Sequence, residues 1–337
     1  MLSKVVGYAL NGLEGFRVDV EVDVHNGLPS FDVVGLPDLA VKESRERVRS
    51  AIKNSGRNFP ATKITVNLAP AEIKKEGAYL DLPIAVGIIK ISSIGFPDDI
   101  SDYVLLGELS LDGTLRSVPG ILPLLISASK DGYKKFIIPL DNEKEASYIE
   151  NVTVYAAKNL NQVVDHLKRI RLLDPVEKQY YYELGGECIY PVDLALVKGQ
   201  ATAKRALEIA VSGGHNIIFV GPPGSGKTML AKCIPSIMPD MDFEEALETT
   251  KIHSVAGRLN ANDGIIRMRP FMTPHHTATN IALIGGGSSI KPGLISLAHN
   301  GVLFLDEMPE YPRSTLEALR QPLEDGVITV SRARANV

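Results

Sequence analysis

The sequence is poor in cysteine, has no long apolar run and has no marked excess of either charge. Only two of its 337 residues are cysteines, Cys188 and Cys233. They form no CxxC pair and no Cys/His cluster, which argues against a zinc site and against a disulfide-stapled secreted domain. Small buried side chains in a reducing compartment are the expectation. The N-terminal stretch MLSKVVGYALNGLEG lacks an apolar core of signal-peptide length. The most apolar stretch, 80–91, is broken by Asp81, Pro83 and Lys90 and is too short to span a bilayer. No membrane association is expected, and a cytoplasmic location is. A formal net charge of −4 supplies no whole-chain attraction to nucleic acid, so any DNA contact has to come from a local basic patch. Internal repeats and low-complexity tracts are also missing.

What remains is ordinary globular composition, 45% hydrophobic and 23% charged, in a length that suits two domains. The first half reads as mixed α/β. Residues 16–24 (FRVDVEVDV) alternate like a half-buried strand. Residues 38–54 read as an amphipathic helix with Asp38 as its cap, and the face bearing Lys42, Arg45, Glu46, Arg47 and Arg49 reads as solvated, with contact to DNA the lesser alternative. A strand follows at 63–69, and a helix opens near Asp81, whose carboxylate and the following Pro83 suit a helix start. Further strands are predicted near 103–109 and 136–139, with a helix at about 121–131. The charged stretch 166–189 reads as a linker, separating a domain of residues 1–165 from one of residues 190–337.

The second half carries the chemistry. A helix is predicted at 200–212. The apolar run Ile217–Val220 predicts the buried central strand of a parallel sheet. It leads directly into Gly221, Pro222, Pro223, Gly224, Ser225, Gly226, Lys227 and Thr228, a match to G-x-x-x-x-G-K-[ST] between a strand and a helix. Phosphates need several backbone N–H groups at once, and the glycines let the chain wrap closely enough to provide them. Lys227 then supplies positive charge to the phosphates of ATP, and the Thr228 hydroxyl is a Mg²⁺ ligand. GVLFLDE at 301–307 supplies the other half: an apolar strand ending in Asp306, expected to hold Mg²⁺, and Glu307, expected to activate the attacking water. His275-His276 do not read as a metal site, because adjacent side chains diverge and no third ligand has suitable spacing. Gly285–Gly287 is a flexible triplet without a following GK[ST], so it is not a second phosphate site.

The Asp-Glu pair, together with VKGQ at 197–200, resembles the AAA+ class. The resemblance implies that Val197, Gly199 and Gln200 lie at the adenine pocket. IHSVAGRL (252–259), RPFMTPHHTAT (269–279), GGGSSIKPGLISLAHNGVLFLDE (285–307) and PLEDGVITVSRA (322–333) are more specific. Together they resemble the magnesium-chelatase-like ATPases of the ComM/YifB group, over essentially the whole chain. The resemblance implies a P-loop AAA+ module of parallel-sheet α/β/α type and a hexameric, ATP-driven motor on branched or single-stranded DNA, as in a helicase promoting branch migration during natural transformation. The alternatives are a remodeller of a protein partner, as in chelatase subunits, or a fragment unable to hydrolyse. A hairpin at 326–332 would bring Arg332, with Arg334 just beyond, to the DNA backbone.

VNLAPAEIKKEGAYLDLPIAVGI (66–88) and GELSLDGTLRSVPGILPLLISASKDGYKKFIIPLDNEKE (107–145) are similar to the Lon-type protease domain, another α/β fold. The resemblance aligns the nucleophilic serine of that family with Tyr79 and its lysine with Leu122. Neither can serve, so an inherited fold without peptidase activity is expected. The resemblance also places the sensor-1 strand, arginine finger and lid beyond Val337. An arginine finger contributes about 10³–10⁵ in rate where measured, so these 337 residues alone are expected to bind nucleotide weakly and hydrolyse it slowly.

Overall fold

The computed structural model describes all residues except 186–187, 261–262, 288–289, 330, 333–334 and 337, with backbone alone at 98–99, 331–332 and 335–336. It divides into two compact units, Met1–Tyr180 with Ser254–Gly264, and Tyr181–His253 with Ile265–Val337.

The first unit is an α/β layer built on one seven-stranded sheet. Its strands are β1 (Leu2–Asn11), β2 (Glu14–His25), β3 (Ser30–Val34), β4 (Lys63–Ala69), β5 (Tyr103–Leu105), β6 (Lys135–Pro139) and β7 (Thr153–Ala157). The spatial order is β3-β4-β2-β1-β5-β6-β7. The pairs flanking β2 are antiparallel and the other four parallel. In β2 the alternation has its expected result: Val18, Val20 and Val22 are fully buried while Arg17, Asp19 and Glu21 take the other face. β1 carries no such alternation and was not foreseen. It lies between β2 and β5, and Val5 to Ala9 are buried without a break, so its pattern shows no period of two.

The longer helices of this unit are α1 (Leu39–Asn54), α2 (Asp81–Ser92), α3 (Ile121–Lys130) and α4 (Leu160–Leu167). Asp38 caps α1 by accepting from Val41 N at 2.8 Å. Two expectations need correction here. Asp81 does not cap α2; its carboxylate accepts from Arg47 Nε at 2.7 Å, Arg47 Nη2 at 3.0 Å and Leu109 N at 3.2 Å. Arg47 in turn leaves the solvated face of α1 to make that pair. Asp81 is only 1% exposed, and a carboxylate so placed requires a cation more than a helix terminus does.

Burial pushes the Asp81 carboxyl up to about 6, with Arg47 and the Leu109 N–H pulling it down. A folded-state value above the unfolded one means that this group favours folding below about pH 4 and loses that contribution as pH rises through 6. Removing Arg47 raises the value further and extends the loss above pH 6. Arg47→Met should therefore cost little near pH 4.5 and about 3 kcal/mol near pH 8. Denaturant unfolding at the two pH values measures the difference, and a pH-independent deficit would contradict it.

Residues 168–180, read above as part of a linker, belong to the first unit: Val176 N donates to Val154 O at 2.8 Å and Gln179 N to Ser147 O at 3.2 Å. The unit also takes in Ser254–Gly264. Gly120 N donates to Ser254 Oγ at 2.9 Å, and Ser254 Oγ donates to Glu145. Tyr79 and Leu122 are buried, at 8% and 1% exposure. The Leu122 N–H donates to Glu145 Oε1 at 3.0 Å.

The second unit contains α5 (Ala201–Gly213), α6 (Lys227–Lys232), α7 (Phe243–Val255, with its last two residues in the first unit) and the two-residue parallel strands β8 (Phe271–Met272) and β9 (Val302–Leu303). The expectation of a buried central strand at 217–220 is not met. No described strand pairs with these residues, and Ile218 and Val220 are 71% and 90% exposed. Ile217 and Phe219 alone pack inward, against the cluster of Leu194, Val197, Leu207, Leu230 and Cys233. An apolar run becomes a central strand only where neighbours complete its ladder on both sides.

The hairpin lies later than expected. Gly326, at φ +68°, ends the helix Arg320–Asp325, and Ser331–Arg332 pair with Ala335–Asn336. Arg334 and the Arg332 side chain lie outside the described residues. Among the described residues, no helix is long and apolar enough to cross a membrane.

Candidate functional site

The glycine-rich loop, residues 221–228, follows the extended 217–220 segment and opens α6. Gly224 and Gly226 have φ of +77° and +87°, which a side chain rarely tolerates, and a Cβ at either would meet nothing within 4 Å. The loop therefore presents backbone to open space on that side. Lys227 Nζ donates to Gly221 O and Pro222 O, both at 2.9 Å, so its ammonium is held by the loop's own carbonyls, and among the described residues no carboxylate pairs with it.

Beyond the end of β9, Asp306 and Glu307 are exposed. Thr228 Oγ1 donates to Asp306 Oδ2 at 3.1 Å, and Glu307 N donates to Asp306 Oδ1 at 3.1 Å. Two segments 78 residues apart in sequence thus bring a hydroxyl and a carboxylate together. These are hard oxygen donors beside an open backbone cradle, which fits a hydrated Mg²⁺ and a phosphate chain. Among the described residues the Glu307 carboxylate has no hydrogen-bond partner, so it is free to meet a ligand.

VKGQ also reaches the loop. Gly199 and Gln200 take positive φ, +67° and +55°, and Gln200 Nε2 donates to Ser225 O at 3.3 Å. Val197 is 8% exposed, and its carbonyl accepts from Lys204 Nζ at 2.6 Å. The structure therefore assembles Gln200, the 221–228 loop and Asp306 in one place, while Val197 faces the apolar cluster. Sequence reading overlooked Tyr311, which is 4% exposed on an otherwise exposed turn and donates to Pro274 O at 2.6 Å. Its signal was an aromatic residue four positions after the Asp-Glu pair. The expectation that His275 and His276 diverge is corrected: their rings lie together but tilted, with centroids 4.1 Å apart and planes 34° apart. Backbone beyond a strand's last ladder bond has no fixed alternation. Among the described residues, no cluster of three or more metal-ligating side chains occurs.

A family model described as magnesium chelatase, subunit ChlI, matches residues 193–337, and another described as subunit ChlI of Mg-chelatase matches residues 20–142. The chain is 45% identical over 342 residues to the uncharacterized protein YifB of Escherichia coli (strain K12), covering 100% of this chain and 65% of that protein. It is 44% identical over 340 residues to the competence protein ComM of Haemophilus influenzae (strain ATCC 51907 / DSM 11121 / KW20 / Rd), covering 100% of this chain and 66% of that one. Lon protease 2 of Bacillus subtilis (strain 168) is 26% identical over 199 residues, 54% of this chain and 35% of the relative. The chain thus spans just under two thirds of the length of the YifB and ComM relatives. With both halves matched and identity near 45% along its full length, the chain belongs to the ComM/YifB group of magnesium-chelatase-like AAA+ proteins.

Proposed function

We propose that the second unit binds and hydrolyses ATP with Mg²⁺, and that the protein uses this cycle to move DNA. The observation that carries the first part is the 3.1 Å contact between Thr228 Oγ1 and Asp306 Oδ2, which joins the glycine-rich loop to the acidic strand end. Thr228 and Asp306 would hold the metal, which supplies charge neutralisation at the phosphates. The backbone of 221–228 cradles the phosphates, and Lys227 adds its charge. Gln200 and Gly199 form the base side, while the Val197 side chain faces the apolar cluster. Glu307 orients a water and takes its proton. Nucleotide titration followed by single-turnover hydrolysis tests this reading.

The DNA part rests on the resemblance to ComM and on the basic Arg332 and Arg334 near the chain's hairpin. It includes a hexameric ring and branch migration as its full form. A labelled four-way junction should bind in the presence of a non-hydrolysable ATP analogue and Mg²⁺. Arg332→Ala should weaken that binding several-fold and lower the slope of log affinity against log salt by about 1. Junction affinity unchanged by Arg332→Ala would count against this assignment. Failure of the parent protein to bind, with nucleotide bound, would favour a protein partner instead.

The first unit is proposed to lack peptidase activity, because Tyr79 and Leu122 stand where a Lon-type enzyme needs serine and lysine. Casein should survive incubation with the protein and ATP. Degradation abolished by Tyr79→Phe would overturn the assignment.

A further inference from the structure

Glu307 has a left-handed backbone, φ +52°, which residues other than glycine adopt only when their surroundings hold them there. The turn that follows provides the restraint. Glu310 N donates to Glu307 O at 2.8 Å, and Tyr311 N donates to Met308 O at 3.2 Å. Residues 306–310 of this turn are exposed, whereas Tyr311 is buried and anchors it in the interior.

The anchor reaches the neighbouring strand. The β8–β9 ladder ends with Phe304 N donating to Met272 O at 2.8 Å. Two residues on, Pro274 has no N–H to continue a ladder, but its carbonyl accepts from Tyr311 Oη at 2.6 Å. The phenol thereby extends the connection between β8 and β9 past their last paired residues, to the turn that carries Glu307. The His276 ring stands edge-on to the Tyr311 ring, with centroids 6.5 Å apart and planes 78° apart, and the His275 ring lies tilted against His276. Burial, and then the Asp306 charge, pushes the Tyr311 pKa upward, so the phenol remains a donor.

We propose that Tyr311 is a positioning residue for Glu307: its bond to Pro274 O holds the turn that keeps the Glu307 backbone left-handed. The proposal rests on the reading of Glu307 as the group that activates water. Tyr311→Phe removes only the hydroxyl. In the nucleotide-free protein, the Glu310 amide should then exchange with deuterium about tenfold faster, because its acceptor, Glu307 O, is no longer held. Binding of ADP with Mg²⁺ and aluminium fluoride, a transition-state mimic, should weaken about tenfold, whereas binding of a non-hydrolysable ATP analogue should change less than twofold.

Parent-like exchange at Glu310 together with a parent-like ratio of the two affinities would overturn the proposal. Equal weakening of both ligands would overturn it too, since that is what general damage to the site produces. Glu307→Gln is measured in parallel. If it leaves hydrolysis and the affinity ratio unchanged, the reading of Glu307 fails, and exchange at Glu310 still decides whether Tyr311 holds the turn.

Discussion

Lys227→Ala should weaken nucleotide binding at least a hundredfold without unfolding the second unit. Among the described residues, Lys227 Nζ is bonded to Gly221 O and Pro222 O, two carbonyls of its own loop, and has no carboxylate to satisfy. That arrangement places the charge beside the cradle before any ligand arrives. A hydrogen bond to a charged group contributes about 1.5–3 kcal/mol, and 1.4 kcal/mol is a tenfold change in affinity. The through-space attraction of the remaining phosphate charges adds to the single bond. Structure should survive, because the side chain is not part of the Leu194–Cys233 cluster that α6 supplies with Leu230. The measurement is equilibrium titration with a fluorescent ATP analogue and Mg²⁺, beside thermal unfolding without nucleotide. A dissociation constant within threefold of the parent's would remove Lys227 from the phosphate site. A large fall in melting temperature would instead show that the lysine holds the loop together.

The site was legible in the sequence because its chemistry is local. A phosphate cradle needs glycines, a lysine and a hydroxyl at fixed spacing, and the eight residues 221–228 display all three. What the spacing does not contain is the partner across the fold: the Thr228–Asp306 contact links positions 78 apart, and only pattern recognition at 302–307 suggested it. Strands buried on one face were equally readable. The alternation in β2 and the bounds of β4 follow from side chains that face core and solvent in turn. β1 escaped because it is buried on both faces and so has no alternation to read.

The reverse error occurred at 217–220, where an apolar run read as doubly buried is covered on one side only. A run of four apolar residues states what the chain can bury, not which neighbours it has. Asp81 illustrates the same limit for charge. Locally it has the spacing of a helix start, and the structure spends it on Arg47, 34 residues away. Tyr311 is a third case. It belongs to no motif of phosphate chemistry, and its importance comes from a carbonyl 37 residues earlier.

Glu307→Gln should keep nucleotide affinity within a few-fold and lower the hydrolysis rate by a factor of about 10² to 10⁴, the usual contribution of a general base. Glutamine has the same shape and can still hold a water, but it cannot accept the water's proton. The neighbouring carboxylate cannot replace it: Asp306 Oδ2 already accepts from Thr228 Oγ1 and Asp306 Oδ1 from the Glu307 amide, which orients Asp306 toward the metal side. The two acids therefore separate by experiment. Asp306→Asn should weaken the Mg²⁺ dependence of binding, whereas Glu307→Gln should leave that dependence intact and stop the chemistry after binding. Single-turnover hydrolysis under saturating nucleotide isolates the step from any effect on affinity. Unchanged turnover in Glu307→Gln would mean that water is activated elsewhere. The exposed carboxylate on its left-handed turn would then need another role, such as contact with a neighbouring subunit.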